Sequence, residues 1–243
     1  MLETDTRCFV HHMTGLLDAA VLTDLHRHFQ AVEAERQGHI VHEHETVRVR
    51  IGASTDAFRQ DPRWYDPWRR ISAATIDRMR PSTWLLYPVM VRHITQSSHL
   101  VPWHQDIAYV RRMPRVHQRL ITCFVPIEPD PARAASLEFA TGAFDELQHG
   151  DHGDHGPGLD ATFPDRSRFD LSLGDALIFG DHTPHRTIAA PDGSIDRRSF
   201  EYRAVIPAEA LEDKDYFDIE RGCMVRRSAG QIIEVAEPGC ARP

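Results

Sequence analysis

Short apolar runs separated by turn residues follow one another through the chain from residue 82 onward. They are rich in β-branched and aromatic residues and are bounded by Pro, Gly and Asp, which is the pattern of successive β-strands. The runs are STWLLYPVMVRHI (82–94), RLITCFVPI (119–127), SLEFA (136–140), DALIFG (175–180) and SFEYRAVIP (199–207). Because 243 residues are enough for one sizeable core, we expect a single, mainly β domain over 1–243.

The first part of the chain, about 1–82, has a different pattern and is predicted to be helical. Apolar residues recur near helical spacing over 14–35, with Thr14 or Asp18 as the candidate N-cap. A second helix is predicted over 62–80. The stretch between them, 36–61, is polar and irregular and is predicted to be a loop.

Charge and cysteine content argue against several classes of protein. The chain has 28 basic and 36 acidic residues, a net charge of −8, which disfavours a nucleic-acid partner. Its four cysteines have no CxxC spacing and are too sparse for a disulfide framework, which fits a reducing compartment. No export signal and no long apolar run stand out, so we expect a cytoplasmic protein with no membrane partner.

A histidine-rich segment, HGDHGDHGPGLDATFPD (149–165), is too rich in Gly, Pro and Asp for a regular element and is predicted to be a long loop. Its histidines, His149, His152 and His155, are spaced HxxHxxH. In a glycine-rich loop this spacing favours a solvated turn over a metal site.

The stretch WHQD, residues 103–106, predicts ligands for a metal. On a β-strand, residues i and i+2 point to the same face, so His104 and Asp106 would project side by side. About 80 residues later, LSLGDALIFGDHTPH offers His182 and His185 just beyond a predicted strand. That separation allows the intervening strands to wrap back in a β-barrel or jelly roll. Two histidines and one carboxylate form the facial triad typical of non-haem iron(II) oxygenases.

The strand after these histidines carries candidate anion ligands. Arg197 and Arg198 are suited to binding a carboxylate bidentately, and Ser199 shares a strand face with Arg197. Glu201 and Arg203 alternate onto the same face, where pairing with each other is the simpler interpretation. Three aromatic residues near the site, Trp103, Tyr109 and Phe124, are interpreted as core more readily than as pocket lining, and the basic stretch 111–119 as a solvated loop.

The order WHQD, SLEFATGAF, GDALIFGDHTPH, RRSFEYR resembles the phytanoyl-CoA dioxygenase family of iron(II)/2-oxoglutarate-dependent oxygenases over roughly 85–207. The resemblance implies a double-stranded β-helix, a cupin-like jelly roll with flanking helices, over about 83–210. It implies that His104, Asp106 and His185 hold Fe(II), since His185 stands ten residues after the Asp of GD and His182 does not.

The resemblance also implies a site for 2-oxoglutarate. Arg197, twelve residues after His185, matches the arginine that pairs with the distal carboxylate, although the family spacing is usually one residue shorter and Arg198 stays an alternative. Thr187 and Arg92 match further cosubstrate-binding positions, and Ser199 would assist Arg197. The family's PGSH-like turn is reduced to TGAF (141–144), which puts only that loop in doubt. Related halogenases lack the carboxylate ligand, so the presence of Asp106 argues against halogenation.

The function implied is hydroxylation of an unactivated C–H bond of a small molecule of specialised metabolism, with 2-oxoglutarate and O₂ as cosubstrates. Desaturation, epoxidation and cyclisation would use the same centre. The alternatives are a cupin-like dioxygenase or isomerase that does not use 2-oxoglutarate, and a non-catalytic binding jelly roll. Substrate choice is expected to lie with loops such as 36–61 and 145–168, and the sequence does not predict the oligomeric state.

Overall fold

Strands dominate the part of the chain that the computed structural model describes, which comprises residues 7–35, 40–43, 46–50, 85–86, 90–94, 100–108, 119–128, 130–151, 157–205, 210, 215–218, 221 and 223–235. The helical elements in these ranges are α1 (Ala19–Glu35) and a short 3-10 helix (Pro131–Arg133). The strands are β1 (Val10–Met13), β2 (Ile40–Glu43), β3 (Thr46–Arg50), β4 (Leu85–Leu86), β5 (Met90–Ile94), β6 (Ile121–Pro126), β7 (Ser136–Ala140), β8 (Gly150–Asp151), β9 (Pro157–Gly158), β10 (Arg166–Arg168), β11 (Ala176–Gly180), β12 (His185–Ile188), β13 (Arg197–Val205), β14 (Asp215–Asp218), β15 (Cys223–Ser228) and β16 (Gln231–Glu234).

The strands form one large and one small antiparallel sheet, with a two-stranded ribbon of β8 and β9 beside them. The large sheet has the order β1-β11-β6-β13-β4-β14-β15-β16, and β5, β3 and β2 continue from β13 on a side branch. The small sheet has the order β10-β7-β12. The nine-residue strand β13 pairs with β6 along one edge and with β5 and β4 along the other, so its inward side chains lie in the middle of the large sheet.

A hydrophobic core joins the two sheets. Phe139 of β7 is wholly buried, and its ring meets that of Phe179 of β11 edge-on at 5.1 Å between centroids. Leu137, Phe124 and Leu177 belong to the same cluster. Because side chains alternate along a strand, Glu138 lies on the other face of β7. Burial of each large apolar side chain contributes about 1.5–3 kcal/mol, so this layer holds the sheets face to face.

Helix α1 begins where Asp18 caps it. The Oδ1 atom of Asp18 accepts a hydrogen bond from the backbone N–H of Ala20 at 2.8 Å. Of the two predicted caps Asp18 is therefore the one used, and the helix begins later than the predicted residue 14. The chain before the helix is bonded to the turn that precedes β11, since the N–H of Leu17 donates to the carbonyl of Gly174 at 3.1 Å. A side chain on Gly174 would lie 2.6 Å from the Leu17 carbonyl oxygen, so this close approach requires glycine.

The described residues before 82 include strands as well as helix α1. They contain the strands β1, β2 and β3, and the predicted loop 36–61 contains the β2–β3 hairpin. The predicted helix 62–80 lies outside the described residues. Sheet strands also continue past the expected end of the core at about 210, because β14, β15 and β16 extend the large sheet. No helix among the described residues has the length and apolar character needed to cross a membrane.

Candidate metal centre

A single antiparallel bridge brings the two predicted histidine ligands together. The backbone N–H of His104 donates to the carbonyl of His185 at 2.9 Å, and the reverse bond has the same length. The ring centroids are 4.1 Å apart. The stretch WHQD is not a regular strand beyond this bridge, yet the expected convergence is present: Oδ1 of Asp106 lies 3.9 Å from Nε2 of His104 and 4.0 Å from Nε2 of His185.

Both imidazoles are oriented by backbone carbonyls. Nδ1 of His104 donates to the carbonyl of Pro102, and Nδ1 of His185 donates to that of Thr183, each at 2.9 Å. A carbonyl only accepts, so the proton of each neutral ring is on Nδ1, and Nε2 carries the lone pair that a metal requires. Burial lowers the pKa of His185 more than the Asp106 carboxylate raises it, which keeps this ring neutral.

The carboxylate of Asp106 is buried and held ionised. Burial by itself would raise the pKa of Asp106, but the Arg203 guanidinium and the Thr122 hydroxyl help to lower it well below its usual range. The Thr122 hydroxyl donates to Oδ2, and Nη2 of Arg203 lies 3.3 Å from Oδ1 and 3.4 Å from Oδ2. Asp106 is therefore an anionic ligand at neutral pH.

These three residues fit a divalent metal ion. Their ligand atoms all lie within 4.8 Å of one another, and all three side chains are buried. Two neutral imidazoles and one carboxylate on one side of an ion leave its other positions open. The arrangement suits first-row divalent ions, iron(II) among them.

The other candidate histidines have different surroundings. The carbonyl of His182 accepts a 2.6 Å bond from the Gln105 side chain, while Nε2 of His149 accepts the N–H of Gln105 at 3.0 Å. Neither belongs to the metal-ligand group found among the described residues. His152 and His155 of the histidine-rich loop lie outside the described residues.

The inward face of β13 carries four polar residues in a row, Arg197, Ser199, Glu201 and Arg203. Arg197 is 1% exposed, with its guanidinium carbon 4.9 Å from the centre of the Phe124 ring. Its Nη2 lies 3.9 Å from Oε1 of Glu201, beyond hydrogen-bond range, and the Ser199 hydroxyl donates to the same oxygen at 2.9 Å. The Ser199 hydroxyl thus joins Glu201, and Arg203 contacts Asp106, while the predicted Glu201–Arg203 pair stays a prediction.

The neighbouring arginine has another environment. Both the backbone N–H and Nη1 of Arg198 bond to Oε1 of Glu128, at 2.7 and 3.2 Å. Alternation along β13 thus gives the two rival arginines different partners: Arg197 shares the face of Ser199 and Arg203, and Arg198 does not.

Two predicted cosubstrate residues remain, Thr187 and Arg92, and only the first has a described side chain. Thr187 is buried on the same face of β12 as His185, and its N–H donates to the Val101 carbonyl at 3.0 Å. Arg92 of β5 lies opposite Ser199 in register, and its side chain lies outside the described part of the chain.

The aromatic residues near the site are placed as follows. Trp103 packs against Phe163 with ring centroids 4.8 Å apart, as the core interpretation expects, and Phe124 lies beneath Arg197. Tyr109 and residues 111–118 lie outside the described residues.

Two residues that support the candidate ligands, Thr122 and Gln105, were not predicted from the sequence. Thr122 is a polar residue within the apolar run RLITCFVPI of β6, and its burial there signals a specific partner. The direct contact of Arg203 with Asp106 was also missed. Gln105, between the two candidate ligands, instead bonds to backbone groups of other segments.

No family model and no curated protein sequence matches this chain. Solved structures do match. The epimerase SnoN, in complex with Fe³⁺, α-ketoglutarate and nogalamycin RO, shares 18% identity at a TM-score of 0.59, covering 84% of this chain and 82% of that one. EvdO2 from Micromonospora carbonacea var. aurantiaca, complexed with 2-oxoglutarate, shares 14% identity at a TM-score of 0.57, covering 98% and 95%. The α-ketoglutarate-dependent carbocyclase SnoK shares 12% identity at a TM-score of 0.57, covering 86% of each chain.

These similarities confirm the predicted fold class. The chain is mainly β and has the cupin-like jelly-roll fold in which these non-haem, 2-oxoglutarate-dependent enzymes are built.

Proposed function

We propose that this protein is an Fe(II)- and 2-oxoglutarate-dependent oxygenase that acts on a small molecule of specialised metabolism. The observation that carries the proposal is the convergence of the Nε2 atoms of His104 and His185 on Oδ1 of Asp106, at 3.9 and 4.0 Å, inside this fold. The structural neighbours support it, because they include SnoN and SnoK from nogalamycin biosynthesis, of which SnoN has Fe³⁺ and α-ketoglutarate bound, and EvdO2 with 2-oxoglutarate bound.

In this proposal His104, Asp106 and His185 hold Fe(II), which with 2-oxoglutarate and O₂ supplies the oxidising power for attack on a C–H bond. The chain contributes one negative charge and two neutral rings, so the ion keeps a net positive charge that attracts an anionic cosubstrate. The Nδ1 bonds to Pro102 and Thr183 keep both rings turned toward the ion.

The buried guanidinium of Arg197 is proposed to bind the distal carboxylate of 2-oxoglutarate. A carboxylate can accept two parallel N–H bonds from arginine, and Arg197 lies on the same face of β13 as Arg203, which contacts Asp106. Ser199 and Thr187, both buried, would add hydroxyl groups, and Arg92 is kept as a further cosubstrate residue. Arg198 is disfavoured because its side chain already pairs with Glu128.

Hydroxylation of an unactivated C–H bond is the proposed outcome. The epimerase SnoN and the carbocyclase SnoK show that proteins of this fold also epimerise and cyclise, so these outcomes are the alternatives to test once a substrate is found. A cupin-like enzyme that does not use 2-oxoglutarate would have no need of Arg197. Membership of the phytanoyl-CoA dioxygenase family stays a prediction, as do the cytoplasmic location and the absence of nucleic-acid and membrane partners.

A test that needs no substrate is anaerobic titration of the purified protein with Fe(II) and 2-oxoglutarate. A 2-oxo acid chelating Fe(II) gives a visible charge-transfer absorption, which we expect only when both are present, followed by slow succinate release on admitting O₂. The His185→Ala variant should show neither. Tight iron binding with no 2-oxoglutarate-dependent band would instead support the cupin-like alternative, and failure to bind iron would support a non-catalytic jelly roll.

A further inference from the structure

The segment 142–150 lies against the stretch that carries two of the metal ligands. Phe144 and Leu147 of this segment pack onto a cluster that includes Trp103, the residue before His104. Leu159 belongs to the same cluster, and its backbone N–H donates to the Trp103 carbonyl at 2.7 Å. Apolar contacts thus hold the loop beside the ligands.

Gln105, the residue between the two ligands, is 0% exposed and links three pieces of backbone. Its Nε2 donates to the carbonyls of Asp145 and His182, at 2.9 and 2.6 Å, and its Oε1 accepts the N–H of Leu147 at 2.8 Å. The partners fix the orientation of the amide, because two carbonyls require the NH₂ group and an N–H requires the oxygen. Because this amide is buried and fully hydrogen-bonded, it holds the connected backbone segments in one arrangement.

His149 holds the backbone of the same residue. Its Nδ1 donates to the Leu147 carbonyl at 2.8 Å, which leaves Nε2 as an acceptor, and this atom receives the N–H of Gln105 at 3.0 Å. The first histidine of the HxxHxxH motif therefore supports the ligand stretch. Side chain and backbone of Gln105 are both bound by segment 142–150.

We propose that Gln105 and His149 are positioning residues that couple segment 142–150 to the metal centre. The segment fixes the backbone between His104 and Asp106 and so fixes where their ligand atoms meet. By reciprocity, a metal ion bound by these ligands stabilises the segment. The presence of a metal at this centre is taken from the proposed function. Because 145–150 belongs to the loop predicted to choose the substrate, the coupling would connect substrate recognition with the order of the iron site.

The test compares Gln105→Met with Gln148→Met. Methionine has a similar length but cannot form the three amide bonds, and Gln148 is an exposed residue of the same segment. With Co(II) as a redox-stable probe, we expect Gln105→Met to bind about 10–100-fold more weakly than wild type, as for other residues that orient metal ligands. Gln148→Met should bind like wild type. His149→Phe should weaken binding in the same direction as Gln105→Met.

Hydrogen exchange of peptides covering 142–150 supplies the readout that a merely structural role would not change. In wild type, saturating Co(II) should slow exchange in this segment, and in Gln105→Met that effect should be lost. If Gln105→Met fails to fold, Gln105→Glu keeps the length and the acceptor for Leu147 while placing a carboxylate against two carbonyls, and the same losses are expected.

The outcomes separate this inference from the function itself. Wild-type Co(II) affinity in the folded Gln105 variant, or wild-type exchange that does not respond to Co(II), overturns the coupling while leaving the metal centre in place. Failure of the wild-type protein to bind Co(II) at all counts instead against the proposed function.

Discussion

At the scale of single residues, the Asp106 carboxylate decides what the centre can hold. It is buried, yet the Arg203 guanidinium and the Thr122 hydroxyl favour its charged form. These contacts hold its Oδ2 by a hydrogen bond from β6 and place a cation beside both oxygens. A carboxylate fixed in this way can bind a metal without first losing a proton or changing rotamer.

Replacing Thr122 by valine tests this support. The change keeps the β-branched shape of a buried residue and removes the hydroxyl that donates to Asp106. We expect the affinity for Co(II), measured by calorimetric titration, to fall about tenfold with the fold retained. Thr141→Val, at an exposed threonine, is the matched control. Equal affinities in the two variants would remove Thr122 from the site.

The two adjacent arginines of β13 allow a second comparison at this scale. Loss of charge-assisted bonds costs about 1.5–3 kcal/mol each, so Arg197→Met should weaken 2-oxoglutarate binding to the Fe(II)-loaded protein by about tenfold or more. Arg198→Met removes the ion pair with Glu128 and should leave that affinity within about twofold of wild type. Titrations followed by the charge-transfer absorption measure the 2-oxoglutarate affinity of both variants. The reverse ranking would assign the carboxylate to Arg198.

At the scale of elements, the sequence predicts the buried strands well and the outer ones poorly. β6, β7 and β11 are mainly apolar and buried at nearly every position, and such short apolar runs are visible in any sequence. β1 has the sequence VHHM, whose two histidines hide its pairing with β11. β3 has the alternating sequence TVRVR, a period-2 signal that lay within a polar stretch and was taken for a loop.

The start of α1 gives a prediction for one element. Asp18→Ala removes the acceptor for the Ala20 N–H and should lower the free energy of unfolding by about 1 kcal/mol. Asp18→Asn retains a side-chain acceptor and should recover most of that loss. Urea unfolding curves measure both. No difference between alanine and asparagine would mean that the cap contributes nothing here.

The turn before β11 gives a prediction about pH. Burial would raise the pKa of Asp175, but hydrogen bonds from the backbone N–H groups of Ser172 and Gly15 and from Nε2 of His12 outweigh it, so this pKa is lowered. A lowered carboxyl pKa stabilises the fold above the unfolded value of about 3.9, and the stabilisation is lost as pH falls through the lower, folded value.

Asp175→Asn should therefore be less stable than wild type at neutral pH, and the gap should narrow below about pH 4. Urea unfolding at a series of pH values measures the gap. Asp170→Asn, at an exposed position nearby, should give a small difference at every pH. A gap for Asp175→Asn that stays constant down to the acid transition would show that its charge is not what stabilises the turn.

At the scale of the whole molecule, the candidate site could be predicted only in part, because its members meet through sheet pairing. The HxD motif is local, and its two side chains lie close together although the stretch is not a regular strand. The choice of His185 over His182 came from family spacing, and that of Arg197 over Arg198 from the strand face shared with Ser199. In the structure His185 is bridged to His104 across 81 residues, and Arg197 lies on β13. Thr122, Gln105 and His149 support the ligands through contacts that no local pattern records.

The candidate ligands also connect the two sheets, so an ion bound by them would affect the stability of the whole fold. His185 belongs to β12 of the small sheet, whereas Asp106 is held by Thr122 of β6 and Arg203 of β13 in the large sheet. An ion bound by both joins the sheets and favours the folded chain, since the unfolded chain does not present the three ligands together. A ligand at 100 times its Kd stabilises the folded state by about 2.7 kcal/mol.

We therefore expect Co(II) to raise the melting temperature of the wild-type protein in a concentration-dependent way that chelator reverses, and Asp106→Asn to lose most of the effect. Asparagine keeps the size of the side chain and removes the charged ligand, so the comparison isolates the centre. The chain has 16 histidines, and adventitious binding to exposed ones is the competing explanation. An equal shift in both proteins, measured by calorimetry, would assign the stabilisation to those histidines, because only an ion at the described centre depends on the Asp106 carboxylate.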